Sequence, residues 1–323
     1  MIGRVLAAVA ALSLLPASGA LAEEVTLQGV SCFPQGSFFS KRFEGFVDAV
    51  NEEGKGVVQI NYVGGAPAIG SPFTLMQKVA QGVYDIASCT GAYYQNVVPE
   101  ADAWKLQERT PSEVRSNGGW DAMVQIHRKA GLMPLARTHW GTRFHLFLGK
   151  DHKIEGPDLT GLHLRVAPIY TSFFTTLGAT TQTSDLASIF TLMENGTVVG
   201  YGWPVLGHQP GWEQVTAYRV DPGFYDVDLE IQANVAVWDG LSDDAKLILE
   251  RAAKKIEEDS EKNDISLSEN AGKKQAEEGM EVITFEGEDR DKWLGTARDS
   301  GWAGVAEIAP DSVETLRPLF SKK

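Results

Sequence analysis

Apolar positions along this chain fall into blocks of two alternating periods. Val25-Thr-Leu-Gln-Gly-Val30 reads as a strand, and after the turn-like stretch Cys32-Phe-Pro-Gln-Gly36 the set Phe39, Phe43, Phe46, Val47 and Val50 recurs at helical spacing. Val57 to Val63 predicts a second strand, and Gly64-Gly65 punctuates a loop. At Ser71-Pro72 a helix is expected to start, with Ser able to cap and Pro suited to the first turn, and to stop at Gly82. Val83 to Ala87 is then a third, buried strand. The order β-α-β-α-β implies a parallel sheet with right-handed crossovers, and ligands of such sheets sit beyond the carboxyl ends of the strands. Three loops therefore become pocket candidates: Cys32 to Ser37, Gly64 to Ser71, and Ser88 to Tyr94.

A related pattern recurs downstream. Leu162 to Val166 reads as a strand, and Ser184 or Asp185 opens a helix with Leu186, Ile189, Phe190 and Met193 on one face, closed by Asn195-Gly196. Both helices contain Thr-Leu-Met, at Thr74 to Met76 and Thr191 to Met193, so two similar α/β lobes are expected. From Leu241 to about Met280 the chain is charge-dense and free of Pro, with helical periodicity at Leu247, Leu249, Ala252 and Ile256 and acidic Ser242-Asp243-Asp244 at its start. This predicts a long helix crossing between the lobes, its charges forming a solvated face. About 300 mature residues exceed what one hydrophobic core organises. The expected division is residues 1–22 as a leader, 23–140 with about 231–270 as the first lobe, and 141–230 with about 271–323 as the second.

The leader rests on Met1-Ile-Gly-Arg4, the apolar run Val5 to Leu15 and Ala20-Leu21-Ala22, which fit a basic n-region, an h-region and an A-x-A cleavage site. Glu23 would begin the mature chain, and the absence of Cys there gives no support for a lipid anchor. No later stretch reaches the roughly 20 apolar residues of a transmembrane helix, so an exported protein of a Gram-negative periplasm without membrane insertion is the expectation. With 29 basic and 43 acidic residues, the net charge of −14 argues against nucleic acid and anionic membranes as partners. Only Cys32 and Cys89 are present, and export permits a bridge between them without requiring one.

No H-E-x-x-H, G-x-S-x-G, C-x-x-C or phosphate-loop spacing occurs, and the six His are scattered without the spacing of a metal site. No catalytic residue, metal or cofactor is assigned. The informative positions are two arginines. Trp140-Gly-Thr-Arg143-Phe144 and Leu164-Arg165-Val-Ala-Pro168 each place an Arg in or beside an apolar segment, where an unpaired charge is costly. An internal salt bridge is the ordinary outcome for an Arg. Two of them near strand ends favour an external anion, whose carboxylate the guanidinium fork grips in bidentate fashion. Around the same loops lie Phe33, Phe38, Tyr93, Tyr94, Trp140, Tyr170, Tyr201, Trp203 and Trp212, of which a subset would wall the cleft.

Asp158-Leu-Thr-Gly-Leu-His-Leu-Arg165-Val166, then Leu177-Gly-Ala179, then the helix closed by Gly196, resembles the signature region of the DctP-type solute receptors of TRAP transporters. Gly141-Thr-Arg143-Phe-His145, Ile69-Gly70 and Gln81-Gly-Val-Tyr-Asp85 are similar to further motifs of that family. The resemblance implies a two-lobed periplasmic binding protein. In it Arg165 holds a ligand carboxylate with help from Arg143, and the closed receptor docks on small and large membrane subunits driven by an ion gradient. Where the family pattern carries an amide that bonds the ligand, this chain has Trp203; the usual Glu of the preceding helix aligns with Ser188, and Thr90 stands where sugar-acid receptors can place a carboxylate. A sugar acid needs those acceptors, since each unpaired buried hydroxyl costs roughly 1–3 kcal/mol. A flat ring needs apolar walls instead. The expected ligand is an aromatic carboxylate of the benzoate or hydroxybenzoate type, with Arg165, Arg143, Trp203, Thr90, Phe33, Tyr93, Ser37, Tyr201 and Trp140 as binding residues. A sugar acid or a 2-oxo acid is the alternative within this class; a secreted enzyme or a sensor module is the alternative outside it.

Overall fold

The computed structural model describes residues 24–322, so the leader expected over residues 1–22 lies outside them. The chain builds two sheets. Strands β1 (Val25–Ser31), β2 (Val58–Gly65), β3 (Ile86–Thr90), β4 (Leu132–Arg137) and β10 (Leu229–Asn234) form the first, in the order β2-β1-β3-β10-β4. Strands β5 (Phe144–Leu148), β6 (His163–Val166), β7 (Thr180–Thr183), β8 (Gly200–Pro204), β9 (Tyr218–Asp221) and β11 (Glu281–Thr284) form the second, in the order β11-β9-β5-β8-β6-β7. As expected, β1 runs parallel to both β2 and β3, while β10 is antiparallel to β3 and β4.

The helices are α1 (Phe38–Glu53), α2 (Pro72–Ala80), α3 (Pro111–Ser116), α4 (Gly119–Lys129), α5 (Thr171–Thr176), α6 (Ile189–Glu194), α7 (Val235–Gly240), α8 (Asp243–Glu277), α9 (Gly287–Ile308) and α10 (Pro310–Phe320). Local chemistry sets their starts. The Ser37 hydroxyl accepts the Ser40 N–H at the head of α1, and Ser71 accepts the Phe73 N–H with Pro72 in the first turn of α2. The apolar set of α1, from Phe39 to Val50, is buried as its period requires.

Two elements differ from expectation. The third strand starts at Ile86 and not at Val83, whose side chain is 59% exposed. Gly82 takes a left-handed backbone (φ 77°) that turns the chain, and the Asp85 carboxylate then accepts the Gln28 N–H at 2.7 Å, so pairing begins one residue later. The helix expected from Asp185 starts as a single 3-10 turn, Leu186–Ser188, capped by Asp185, before α6 begins.

Three connections cross between the sheets. Residues 138–143 and 222–228 run side by side and bond to one another, Val227 N–H to the Thr142 carbonyl at 2.7 Å and Phe144 N–H to the Tyr225 carbonyl at 2.9 Å. The Asp226 carboxylate also accepts the Gly141 N–H at 2.9 Å. The long helix α8 is the third crossing. Its first two-thirds are held to the first sheet's lobe by ion pairs of Glu257 with Arg115 and of Asp264 with Arg42, and its last turns to the second lobe by Arg219, which donates to the Gly272 carbonyl at 3.0 Å. Helix α9 lays Trp293 among Phe173, Phe174 and Phe285 of the second lobe, and α10 returns to the first, where Phe320 stacks on Trp104 at 5.4 Å. Among the described residues no helix is long and apolar enough to cross a membrane.

Candidate ligand-binding site

At the carboxyl end of β1 the chain reaches Cys32, which is joined by a disulfide to Cys89 in β3, with Cα atoms 5.0 Å apart. The bridge staples two of the three predicted pocket loops together. All three loops do line one chamber. Cys32, Phe33, Ala66, Pro67 and Tyr93 face Asp185, Leu186, Gln209 and Trp212 of the second lobe across about 300 Å³. Deeper in, Phe33 and Tyr93 join Phe39, Thr90, Phe144, Ile169 and Trp203 around an inner cavity of about 20 Å³. That is room for about one water molecule, so an organic acid reaches the inner cavity only when the lobes part or the aromatic walls turn.

Arg165, on β6, is fully buried. Its Nε donates to the Ser184 hydroxyl at 3.2 Å, Nη1 to the Tyr170 hydroxyl at 3.1 Å and to the Gly202 carbonyl at 3.4 Å, and Nη2 to the Ser184 carbonyl. Every one of these partners is neutral, and among the described residues no carboxylate lies within 4 Å. The guanidinium carbon sits 5.7 Å from the ring centre of Trp203. A buried cation with only neutral partners retains a strong preference for an incoming anion. Position 202 must be Gly, because a Cβ there would come within 2.5 Å of the Tyr170 ring that shapes this platform. Burial pushes the Tyr93 hydroxyl up to about 12 against the opposing pull of Arg165, so Tyr93 meets a ligand as a neutral hydroxyl.

Of the predicted site residues, the structure brings Arg165, Trp203, Phe33, Tyr93 and Thr90 together. Ser37 is spent on the start of α1. Tyr201 lies behind the wall: its hydroxyl is held at 2.8 Å by both His208 and Thr216, and its ring meets Trp212 edge-on. Trp140 and Arg143 lie elsewhere, in a separate groove of about 910 Å³ against α8 with His145, Arg219 and Asp221. The reason is strand alternation. Phe144 faces the inner cavity, so its neighbour Arg143 points the other way and is exposed, its backbone bridged to Asp226.

Thr90 brings a surprise. Its hydroxyl donates to Asp228 at 2.9 Å, so a carboxylate does stand behind the cavity, supplied by the strand beside it. Asp228, immediately before β10, and Glu230 and Gln232 within it alternate on one face and are all buried; Tyr94 donates to Glu230 at 3.0 Å and Gln232 donates to Tyr94 at 2.6 Å. The facing charges are Arg137 of β4, whose Nε is 3.7 Å from Glu230, and Asp102, with His127 of α4 reaching Tyr94 at 3.3 Å. One guanidinium thus serves two carboxylates. Burial, opposed by Arg137, pushes Asp228 up to about 7, and burial together with the neighbouring Asp228 charge raises Glu230 against the pull of Arg137. A folded-state pKa above the unfolded value of about 3.9 means the folded state keeps a proton that the unfolded chain has lost, so this group's contribution to stability declines from about pH 4 to about pH 7. Asp228→Asn removes that decline. The difference in melting temperature, variant minus wild type, is therefore expected to become more positive from pH 5 to pH 8; a constant difference would mean Asp228 does not hold the proton.

Comparison with known proteins agrees with this architecture. Residues 30–300 match the family described as bacterial extracellular solute-binding protein, family 7, or DctP. A solute-binding protein of Roseobacter denitrificans is 26% identical over 322 residues, covering 96% of both chains. A TRAP periplasmic solute-binding protein of Desulfovibrio salexigens, solved with bound orotic acid, superposes with a TM-score of 0.80 at 17% identity, covering 91% of this chain and 97% of that one. One from Ralstonia eutropha H16, solved with bound (S)-2-acetolactate, gives 0.77 at 19% identity, covering 92% and 99%. The sugar-acid binding protein of Advenella mimigardefordensis, solved with galactonate, gives 0.77 at 20%, covering 92% and 98%. With two sheets meeting at a buried arginine and a family match over most of its length, this chain belongs to the DctP family, the bacterial extracellular solute-binding proteins of family 7.

Proposed function

We propose that this receptor captures a small aromatic carboxylate of the benzoate or hydroxybenzoate type in the periplasm and hands it to the small and large membrane subunits of a TRAP transporter. The observation that carries the reading is the pairing of Arg165, buried among the described residues with only neutral partners, with an inner cavity walled by Phe33, Phe39, Tyr93, Phe144 and Trp203. The polar groups near that cavity are largely committed. Thr90 gives its proton to Asp228, and the Trp203 N–H goes to the Gly207 carbonyl at 3.1 Å. A ring buries its faces against these walls at no polar cost, whereas a polyol acid strands hydroxyls there. The Tyr93 hydroxyl remains as a reader of one ring substituent. Arg143, placed in the groove against α8, acts on the ligand only from a distance in this arrangement.

A thermal-shift series with benzoates, sugar acids and 2-oxo acids tests the assignment, since a ligand at 100 times its Kd stabilises by about 2.7 kcal/mol. Benzoates are expected to shift the ligand-stripped protein most. A shift confined to sugar acids or 2-oxo acids would keep the receptor and overturn the aromatic ligand. Trp203→Asn, which restores the family's amide, is expected to weaken benzoate binding about tenfold or more by opening the wall that Trp203 forms with Phe39 at 5.6 Å. Unchanged benzoate affinity in that variant would remove Trp203 from the site.

A further inference from the structure

The lobes also meet at a buried cation that the anion site does not use. Lys105 closes the 3-10 segment Pro99–Leu106 of the first lobe, and it and Asp102 are 5% and 4% exposed. Its ammonium group donates to both Asp102 oxygens at 2.7 Å and, across the lobe boundary, to the carbonyl of Ile169. The same nitrogen lies 5.0 Å from the ring centre of Tyr225, and the Lys105 carbonyl accepts the N–H of Asp226 at 3.0 Å, both in a connection between the lobes. Asp102 is held from its other side by Gln95 at 2.7 Å.

Ile169 occupies a strategic place. It lines the inner cavity and immediately precedes Tyr170, whose hydroxyl accepts from Arg165 and donates to the Gly202 carbonyl at 2.6 Å. Above the pair runs α9, brought close at Gly301. A Cβ on Gly301 would collide with Leu106, and one on Gly304 would sit 3.9 Å from both Asp102 of the first lobe and Ser172 of the second. Beneath this helix the ion pair is almost entirely buried.

Within its own lobe the Lys105–Asp102 pair is complete, and water can serve the third ammonium proton when the lobes part. Closure expels that water, and the proton is satisfied only where the Ile169 carbonyl takes its place. We infer that Lys105 is a positioning residue that latches the closed receptor: held by Asp102, it grips Ile169 of the opposite lobe and so keeps Tyr170 and Arg165 in the anion-holding arrangement. The inference rests on the receptor closing over an anion at Arg165, and it is independent of which anion that is.

Lys105→Met, alone and combined with Asp102→Asn, tests it in the whole mature chain with spin labels at Asp48→Cys and Glu194→Cys, exposed on opposite lobes. The probes are 4-hydroxybenzoate and D-galactonate. Both variants are expected to release a bound probe about tenfold faster or more, with association within about threefold of wild type, and to show fewer molecules at the closed distance. A residue that merely neutralised Asp102 would behave differently, because the double variant would then recover wild-type release; that recovery, or wild-type release and distances in both variants, overturns the latch. If D-galactonate alone binds, the aromatic ligand is refuted while the latch is tested unchanged. If neither probe binds, the ligand-free distance distribution decides: fewer closed molecules in Lys105→Met supports the latch and an identical distribution overturns it.

Discussion

Arg165→Ala is expected to raise the Kd for the ligand by between about 30-fold and several thousand-fold, the equivalent of about 2–5 kcal/mol for removing one partner of a buried, hydrogen-bonded charge pair. The same substitution is expected to leave the ligand-free melting temperature nearly unchanged. Arg165 is buried against Ser184, Tyr170 and Gly202 with no counter-charge among the described residues, so deleting it forfeits hydrogen bonds but also relieves the burial of an uncompensated cation. Calorimetric titration and thermal melts of the two proteins separate the roles. A variant that binds as well as wild type has its anion elsewhere, and one that loses stability and binding in parallel shows a structural arginine. Arg165→Lys keeps the charge and is expected to recover little affinity, since an ammonium cannot reproduce the fork that spans Tyr170 and Ser184.

Replacing Cys32 and Cys89 together by Ser is expected to cost about 4 kcal/mol of stability, the chain-entropy value for a crosslink closing a loop of 57 residues. In a protein of this size that corresponds to a fall in melting temperature of roughly 6 °C. Affinity should fall with it, about tenfold, because the bridge sits directly before Phe33 and directly before Thr90, and the Phe33 and Tyr93 rings it aligns are 5.7 Å apart in the cavity wall. Wild-type protein kept reduced during refolding should match the variant in both respects. An unchanged melting temperature would show that aromatic packing alone holds the two loops.

The fold was legible in this sequence where period and capping agreed. The stripe from Phe39 to Val50 and the Ser71-Pro72 start are local signals, and both appear as α1 and α2. The third strand was misplaced because Val83 and Tyr84 look apolar in sequence, while the left-handed turn at Gly82 carries Val83 into solvent. At the site, Arg165 stood out as an Arg inside an apolar strand. Arg143 had the same appearance, but the side it points to depends on Phe144 being the residue that faces the cavity, and alternation alone does not say which neighbour that is. The polar face of β10 was missed altogether. Alternation of Asp228, Glu230 and Gln232 with Leu229, Ile231 and Ala233 is the usual mark of a strand half in water, and only the packing of Tyr94, Arg137 and His127 over that face shows it to be interior. Lys105 carried no signal either, since its third partner is a carbonyl 64 residues away.

The two connections at residues 138–143 and 222–228 lie against one another as a bonded pair, and α8 joins the lobes along a separate line with an anchor at each end. Mechanically this is a hinge with a stay. The bonded pair resists sliding and twisting of one lobe on the other, and the stay resists their splaying apart, which leaves a single rotation as the soft coordinate. Under the receptor role proposed above, ligands of different outline would report their presence outward through one angle, and a docking partner would need to measure only how far the jaws have turned, without inspecting what they hold.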